Sequence, residues 1–464
     1  MMKRSEFLKV IGAGTATAIL GGLPSIAKGA SSQEDKNIKR ISTGLTNQEA
    51  KVDKPVTAIV IGAGSRGTTY AGYAKQYPGS LTIVGVSDIN EERKRRMAEQ
   101  HQIPEGQQFG DWSEVFSKTK FADVVIISTP DNLHFAPCMK ALEMGYDVLL
   151  EKPVAQSVAE CKKIQNQAKK HNRIVGVCHV LRYAPYFVAL KDVIDKGIIG
   201  DIVSIQHFEA IRHHHMAHSY VRGNWHDSKK TTPIIIAKSC HDLDLMRWII
   251  NKDCKQVSAF GDLRYFKKEN APEGSSTRCT TCSIEKECPY SAIKIYTRDK
   301  RHLYVFDLPA DKSKHHDYIM KQLETSNYGQ CVFHCNNDQC DHYVMNMEFD
   351  GGTTVTFSME GHTSYGGRHT RIMGTKGDIV GDMNKFTVTD FLTNNKSVWD
   401  EDISKLPGYS SHGGGDWGIL KDFVLAVSNQ DAKYLSSTID VSIESHVMGF
   451  KAEESRIKKK VVKI

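Results

Sequence analysis

The chain has 464 residues, 40% of them hydrophobic and 25% charged. This balance excludes a disordered or fibrous protein and leaves room for two or three domains. The formal net charge of +7 is spread over interleaved acids and bases. The one compact basic run, Lys458-Lys459-Lys460, has no aromatics among it, so it reads as a solvated helix face or tail and no nucleic-acid partner is expected.

Lys3 and Arg4 precede Phe7-Leu8-Lys9 and a weakly apolar, Gly/Ala-rich stretch from Val10 to Leu23, followed by Pro24-Ser25-Ile26-Ala27. This is the pattern of an export signal over residues 1–27, too short for a membrane span. It resembles a twin-arginine signal, with Ser5 standing at the second arginine position. A periplasmic or otherwise exported protein is expected, without a membrane anchor once the signal is cleaved. Residues 28–54 are polar and lack an apolar period, so a linker with little order is expected there.

The run Thr57 to Ile61 has the apolar character of a buried parallel strand and ends in Gly62-Ala63-Gly64-Ser65-Arg66-Gly67. A second apolar strand, Leu81 to Val86, leads to Asp88, close to 20 residues beyond the last glycine. Gly62 permits the tight turn, Gly64 lets the backbone approach a pyrophosphate, and Gly67 lets the next helix pack close. Ser65 and Arg66 open that helix, whose free N–H groups favour phosphate. Asp88 suits the ribose hydroxyls and would repel a 2′-phosphate, which favours NAD over NADP, although Arg66 and Arg93 lie close enough in sequence to weaken the preference. The βα alternation continues through strands at Ala122–Ser128, Asp147–Leu150 and Arg173–Cys178, with helices after His134 and after the capping box Ser157 to Glu160. Residues 55–178 are expected to form a doubly wound parallel sheet of the Rossmann type, with its ligand beyond the strand ends that carry Asp88, Thr129, Lys152 and His179.

These motifs, with Ser128-Thr129-Pro130-Asp131 and His134, Glu151-Lys152-Pro153, Arg182-Tyr183-Ala184-Pro185 and Cys240-His241-Asp242-Leu243-Asp244, resemble the glucose–fructose oxidoreductase, inositol dehydrogenase and rhizopine-catabolism (Gfo/Idh/MocA) family from about residue 55 to 450. The resemblance implies a C-terminal α/β domain, residues 179–450, with a large, open, mostly antiparallel sheet used for substrate binding and for homo-oligomer contacts. It also implies that Thr129, Pro130, His134, Glu151 and Lys152 border the cofactor, and that a sugar, cyclitol or glycoside is the small-molecule substrate. The sequence adds its own hairpin signals: alternating residues Val344–Phe349 and Thr353–Met359 flank Asp350-Gly351-Gly352, and a second turn falls at Thr375-Lys376-Gly377. A helix is expected from His241 to Ile249 and a basic tail over 451–464.

Oxidising a carbinol needs a base for the hydroxyl proton and a cationic neighbour for the developing alkoxide. Lys152 fits the second task and His241 the first. The family pattern has a carboxylate four residues before this histidine; Ala237 stands there, with Lys238 beside it. His241 would then be oriented by Asp242, Asp244 or a more distant group, and Lys238 would place a positive charge where the carboxylate is missing. Arg182, Tyr183, His218, Trp225 and Asp242 are the substrate-pocket candidates, Trp225 as a stacking face. His213, His214, His215, Tyr220, Arg222, His226 and the loop from His412 to Trp417 have a weaker warrant.

Of the 11 cysteines, Cys279, Cys282, Cys288 and Cys335 have the spacing of a structural zinc site within an insertion near 275–340, with Cys331 as an alternative ligand and disulfides as a competing outcome. The leading expectation is an NAD(P)-dependent oxidoreductase. Two alternatives stay open: a glycosidase or lyase that oxidises its substrate transiently with a retained cofactor, and a non-catalytic sugar-binding protein.

Overall fold

The computed structural model describes residues 38–42, 48–409 and 412–464, and residues 40–464 form one compact unit. The export-signal reading lies outside the described residues.

The first sheet contains β1 (Val56–Ile61), β2 (Leu81–Ser87), β3 (Gln108–Phe109), β4 (Val124–Ile127), β5 (Asp147–Leu150) and β6 (Val175–Val177). All neighbours are parallel, in the order β3-β2-β1-β4-β5-β6, the two-halved order of dinucleotide-binding folds. The crossovers are α1 (Ser65–Gln76), α2 (Glu91–His101), α3 (Phe135–Glu143) and α4 (Val158–His171). Ser157 caps α4 by accepting the Glu160 N–H. The central strands are mostly apolar because helices cover both faces: Val60, Ile83, Val124 and Ile126 pack on one side, Ile59, Val125, Ile127 and Leu150 on the other.

After α5 (Pro185–Asp195) the chain builds a second sheet. It contains β7 (Ile202–Ala210), β8 (Cys254–Asp262), β9 (His342–Phe349), β10 (Thr354–Glu360), β11 (Gly367–Gly374), β12 (Gly377–Gly381), β13 (Phe386–Asp390), β14 (Lys396–Trp399) and β15 (Val462–Lys463). These strands run in the order β14-β13-β12-β11-β7-β10-β9-β8-β15. Only β7 and β10 pair in parallel among these neighbours; the other pairs are antiparallel. Both expected hairpins form, Val344 facing Ser358 across β9 and β10 and Ile372 facing Ile379 across β11 and β12. On β9 the residues Tyr343, Met345, Met347 and Phe349 are buried and alternate with exposed or half-buried ones, the period of a sheet with one covered face. That cover includes α6 (Cys240–Ile250).

Three boundaries differ from the sequence expectation. The linker does not extend to residue 54 as an unordered segment: Gln48 donates to Gly414 O at 2.9 Å and Ser80 Oγ to Ala50 O at 2.6 Å, and both Gln48 and Ala50 are buried. The last residues are no free tail, because α9 (Ile439–Lys458) runs to Lys458 and β15 then pairs with β8. The second domain is also not closed on itself. α8 (Gly415–Asn429) returns to the first sheet, burying Ile419, Leu420, Phe423 and Val424 with Tyr73 and Val60, and α9 adds Ile439 and Ile443 to the other face. At roughly 1.5–3 kcal/mol for each fully buried large apolar side chain, these helices tie the two sheets together. The insertion between β8 and β9 holds only short helical turns and α7 (His315–Thr325).

Candidate active site

The glycine loop joins β1 to α1 at the carboxyl end of the first sheet. Gly62 has φ +94°, and a Cβ there would meet the Ser128 backbone at 2.8 Å. A Cβ on Gly67 would lie 2.0 Å from Gly62 O. Gly64, by contrast, faces open space, the nearest atom being Arg93 Nη1 at 4.0 Å from its Cβ position. Asp88 follows β2 half-buried, accepting the Ala63 N–H at 2.6 Å and the Asn90 N–H at 2.7 Å. An open cradle, a helix N-terminus beginning at Ser65 and a carboxylate beside the loop fit a dinucleotide diphosphate and its ribose.

Arg66 is turned away from that cradle. It donates to Glu151 and to Asp416, each at 2.6 Å, and sits with its guanidinium 4.7 Å from the Tyr70 ring centroid. Glu151 also accepts from Tyr70 at 2.6 Å. Burial works against its charge, but Arg66, Lys152 and the Tyr70 hydroxyl outweigh burial and hold the carboxyl below its usual range. His134 braces the neighbouring loop, with Nδ1 2.7 Å from Pro153 O and Nε2 2.9 Å from Thr129 O. Thr129 Oγ1 bonds Leu133 O, and Pro130 is exposed. Arg66, His134 and Glu151 are thus fixed in place around the crevice by protein partners.

Lys152, at the end of β5, donates to Ala237 O at 3.0 Å. This bond joins the nucleotide domain to the segment that leads into α6, one turn before His241. His241 is buried, and its Nδ1 has no hydrogen-bond partner among the described residues. Burial, then the Lys152 and His412 charges, push its pKa well down, so it is a neutral imidazole at pH 7. Its ring centroid lies 5.7 Å from His412 and 6.0 Å from His179, and His179 lies 5.5 Å from His446. His412 is held by Asp416 at 3.1 Å.

Asp242 and Asp244 do not orient His241. Asp242 is wholly buried and accepts from Arg368 at 2.6 Å, with His207 Nε2 at 2.8 Å. Asp244 takes both forks of Arg182 at 2.6 Å. A buried carboxylate must be paired or hydrogen-bonded, and each of these takes the arginine that another element supplies. Asp242 and Arg182 are thus removed from the expected substrate contacts, as is Tyr183, whose hydroxyl lies 2.8 Å from Ser437 Oγ.

Lys238 pairs with Glu209 at 3.2 Å, and Glu209 also accepts from Arg368 at 2.9 Å and from Ser239 at 3.1 Å. The carboxylate beside Lys238 thus comes from β7. Burial pushes the Glu209 carboxyl up, against Arg368. Sequence reasoning misses Glu209 and His446. Glu209 gives no local signal beyond its place in an alternating strand, and His446 lies on a helix far along the chain.

His218 lies inside an aromatic cluster, not on an open wall. Its Nδ1 is 2.7 Å from Tyr296 OH, it stacks on His302 at 4.2 Å between centroids, and it is 2% exposed. Trp225 stays half-buried, tilted against Tyr220 at 6.3 Å. The zinc expectation is also corrected. Among the described residues no group of three or more His, Cys, Asp or Glu side chains could hold a metal, and all eleven cysteines are free. Cys279, Cys282, Cys288 and Cys331 line one small cavity with Arg222. Cys279 Sγ takes hydrogen bonds from Arg222 and the Ala292 N–H, and Cys335 Sγ donates to Cys331 O at 3.2 Å.

Two family models cover most of the chain: an oxidoreductase family with an NAD-binding Rossmann fold over residues 56–179, and a GFO/IDH/MocA C-terminal domain over residues 187–380. The chain belongs to the Gfo/Idh/MocA oxidoreductase family. The Bacillus subtilis protein YteT, assigned as an oxidoreductase, is 26% identical over 367 residues, 74% of this chain and 82% of its own length. Inositol 2-dehydrogenase of Salmonella paratyphi B is 27% identical over 206 residues, 44% of this chain and 57% of its own length, so the match spans little more than half of that relative. The fold is shared with an Agrobacterium radiobacter oxidoreductase solved with NAD+, L-tartaric acid and magnesium (TM-score 0.64, 16% identity, 88% of this chain and 98% of that one). It is shared equally with an inositol dehydrogenase homologue from Azotobacter vinelandii solved with NAD+ (TM-score 0.64, 15% identity, 90% and 100%). Family membership and the glycine cradle together make this an oxidoreductase with an NAD-binding domain.

Proposed function

We propose that the protein transfers a hydride between NAD and a ring carbon of a sugar, cyclitol or glycoside, with Lys152, His241 and Lys238 as the groups that meet the substrate. The observation that carries this reading is the Lys152–Ala237 bond, which draws the lysine of the nucleotide domain to the first turn before His241. NAD, when bound, supplies the hydride acceptor. Lys152 would hold the substrate oxygen and stabilise the alkoxide as the C–H bond weakens. His241, neutral and unpartnered at Nδ1, would take the hydroxyl proton. Lys238, anchored by Glu209, would bind a second hydroxyl, and Trp225 would supply an apolar face for the ring. The test is a panel of cyclitols and sugars offered to the protein with NAD, read by the nicotinamide absorbance. Reduction by a ring polyol supports the reading; no reduction across the panel opposes it.

Export through residues 1–27 belongs to the same proposal, and a mature N-terminus near Ala27 in the exported protein would support it. A homo-oligomer through the second sheet is supported by the exposed cross-strand pair Phe260 and Val344, and a monomeric native mass would oppose it. Transient oxidation with a retained cofactor is a second reading. It is favoured by the insertion's ion pairs to α2 at the nucleotide edge, Asp307 to Arg93 and Arg96. Near-stoichiometric nucleotide released on denaturing the purified protein would support it.

A further inference from the structure

The insertion between β8 and β9 is bonded to the nucleotide domain through Asp307. Asp307 accepts Arg93 Nε at 3.1 Å, Arg93 Nη2 at 3.3 Å, Arg96 Nη2 at 2.9 Å and Asn90 Nδ2 at 3.1 Å. Asn90 is the N-cap of α2 and accepts the Arg93 N–H. The Arg93 guanidinium is also the group nearest Gly64, at 4.0 Å from its Cβ position. It thus lies between the middle glycine of the cradle and the insertion, five residues after the ribose-side carboxylate Asp88.

The chemistry of that position decides which dinucleotide fits. A carboxylate at the end of the second strand suits free ribose hydroxyls, and an arginine nearby accommodates a 2′-phosphate. Arginine is the residue suited to phosphate because its planar fork gives two parallel, charge-assisted hydrogen bonds. This chain offers both: Asp88 at the strand end, and Arg93, whose guanidinium reaches Gly64. The remaining arginine near the loop, Arg66, is committed to Glu151 and Asp416.

We propose that Asp307 is a specificity-determining residue, which by engaging the Arg93 guanidinium beside the cradle takes up the charge and donors that a 2′-phosphate would need and keeps the site selective for NAD over NADP. The inference rests on the dinucleotide reading of the cradle. A carboxylate from a different domain does this only while the insertion is seated on α2, so cofactor choice is coupled to that seating.

The test is direct binding, by calorimetry, of NAD and NADP to the full-length protein and its variants. The original protein should bind NAD more tightly than NADP. Asp307→Ala should tighten NADP binding by about tenfold, the effect of one added charge-assisted hydrogen bond, while NAD changes by less than about threefold. Arg93→Ala added to Asp307→Ala should cancel the tightening. Asp307→Asn, which keeps an acceptor and sheds the charge, should give the same direction if the alanine variant fails to fold. NADP affinity that is unchanged, or that moves equally with NAD, would overturn the proposal. A wild-type protein that binds neither dinucleotide would instead overturn the reading of the cradle beneath it.

Discussion

Lys152 Nζ lies 3.0 Å from the carbonyl oxygen of Ala237, so the lysine that ends β5 is already oriented toward the segment carrying Lys238 and His241. A backbone carbonyl accepts without neutralising charge, and the ammonium stays available to a developing alkoxide. Lys152→Met should therefore lower kcat by about 100- to 10,000-fold while NAD affinity, measured by calorimetry, stays within about threefold. A parallel loss of NAD binding would mean that the lysine serves the cradle and not the chemistry.

The glycine loop separates a folding role from a binding role. Alanine at Gly67 would place a Cβ 2.0 Å from Gly62 O, a clash that only a backbone shift can relieve. Gly67→Ala should lower Tm and abolish NAD binding together. Gly64→Ala meets nothing nearer than 4.0 Å, so it should melt like the wild type and still bind NAD at least tenfold more weakly, because its methyl occupies the dinucleotide's side of the loop. Wild-type NAD affinity in Gly64→Ala would move the dinucleotide elsewhere.

The histidine cluster around the insertion predicts acid sensitivity. Burial first, with neighbouring His and Arg charges adding to it, holds His218 down to about 2 and His214 and His302 down to about 4. In the unfolded chain these imidazoles titrate near ~6.5. Between those values the unfolded state binds more protons, so the stability contributed by the neutral rings is complete above about pH 6.5 and is lost as the pH falls toward 4. Thermal melts from pH 8 to pH 5 should show a falling Tm, and His302→Gln should flatten that slope. An unchanged slope would remove the cluster as its source.

Asp422 on α8 works in the opposite sense. Burial pushes its carboxyl up to about 6, with Lys421 opposing. The folded state therefore holds a proton that the unfolded chain has released, and stability declines as the pH rises from about 4 through 6. Asp422→Asn should raise Tm by roughly 1–2 °C at pH 7.5, corresponding to on the order of 1 kcal/mol, and should have no effect near pH 4. A gain that is equal at both pH values would point to packing, not ionisation.

The parallel sheet was legible because its signals are local: buried apolar strands, glycines at fixed spacing and capping residues such as Ser157. The hairpins at Asp350-Gly351 and Thr375-Gly377 were legible for the same reason. What the sequence did not show depends on partners far along the chain. Glu209 meets Lys238 from a different element, Asp307 meets Arg93 across more than two hundred residues, and α8 returns to cover a sheet begun over three hundred residues earlier. Arg182 and Asp242 read as pocket residues because charged groups near a catalytic motif suggest substrate. Their burial against Asp244, and against Arg368 and His207, shows that each had a partner from another element. The cysteine spacing misled similarly, since C-x-x-C geometry does not fix where the sulfurs point.

Hydride transfer from a substrate carbinol to NAD at the Lys152–His241 site can be followed atom by atom. A ring polyol deuterated at its carbinol carbons is incubated with the protein and NAD, and the recovered cofactor and product are analysed by mass spectrometry. Where the cofactor is recovered reduced, one deuterium is expected at nicotinamide C4 with the wild-type protein and none with Lys152→Met; where the cycle closes, the deuterium is expected back on a ring carbon of the product and the recovered cofactor is unlabelled NAD. Substrate conversion by the wild-type protein that puts deuterium neither on reduced cofactor nor back on a ring carbon of the product, but loses it to water, would contradict hydride transfer at this site.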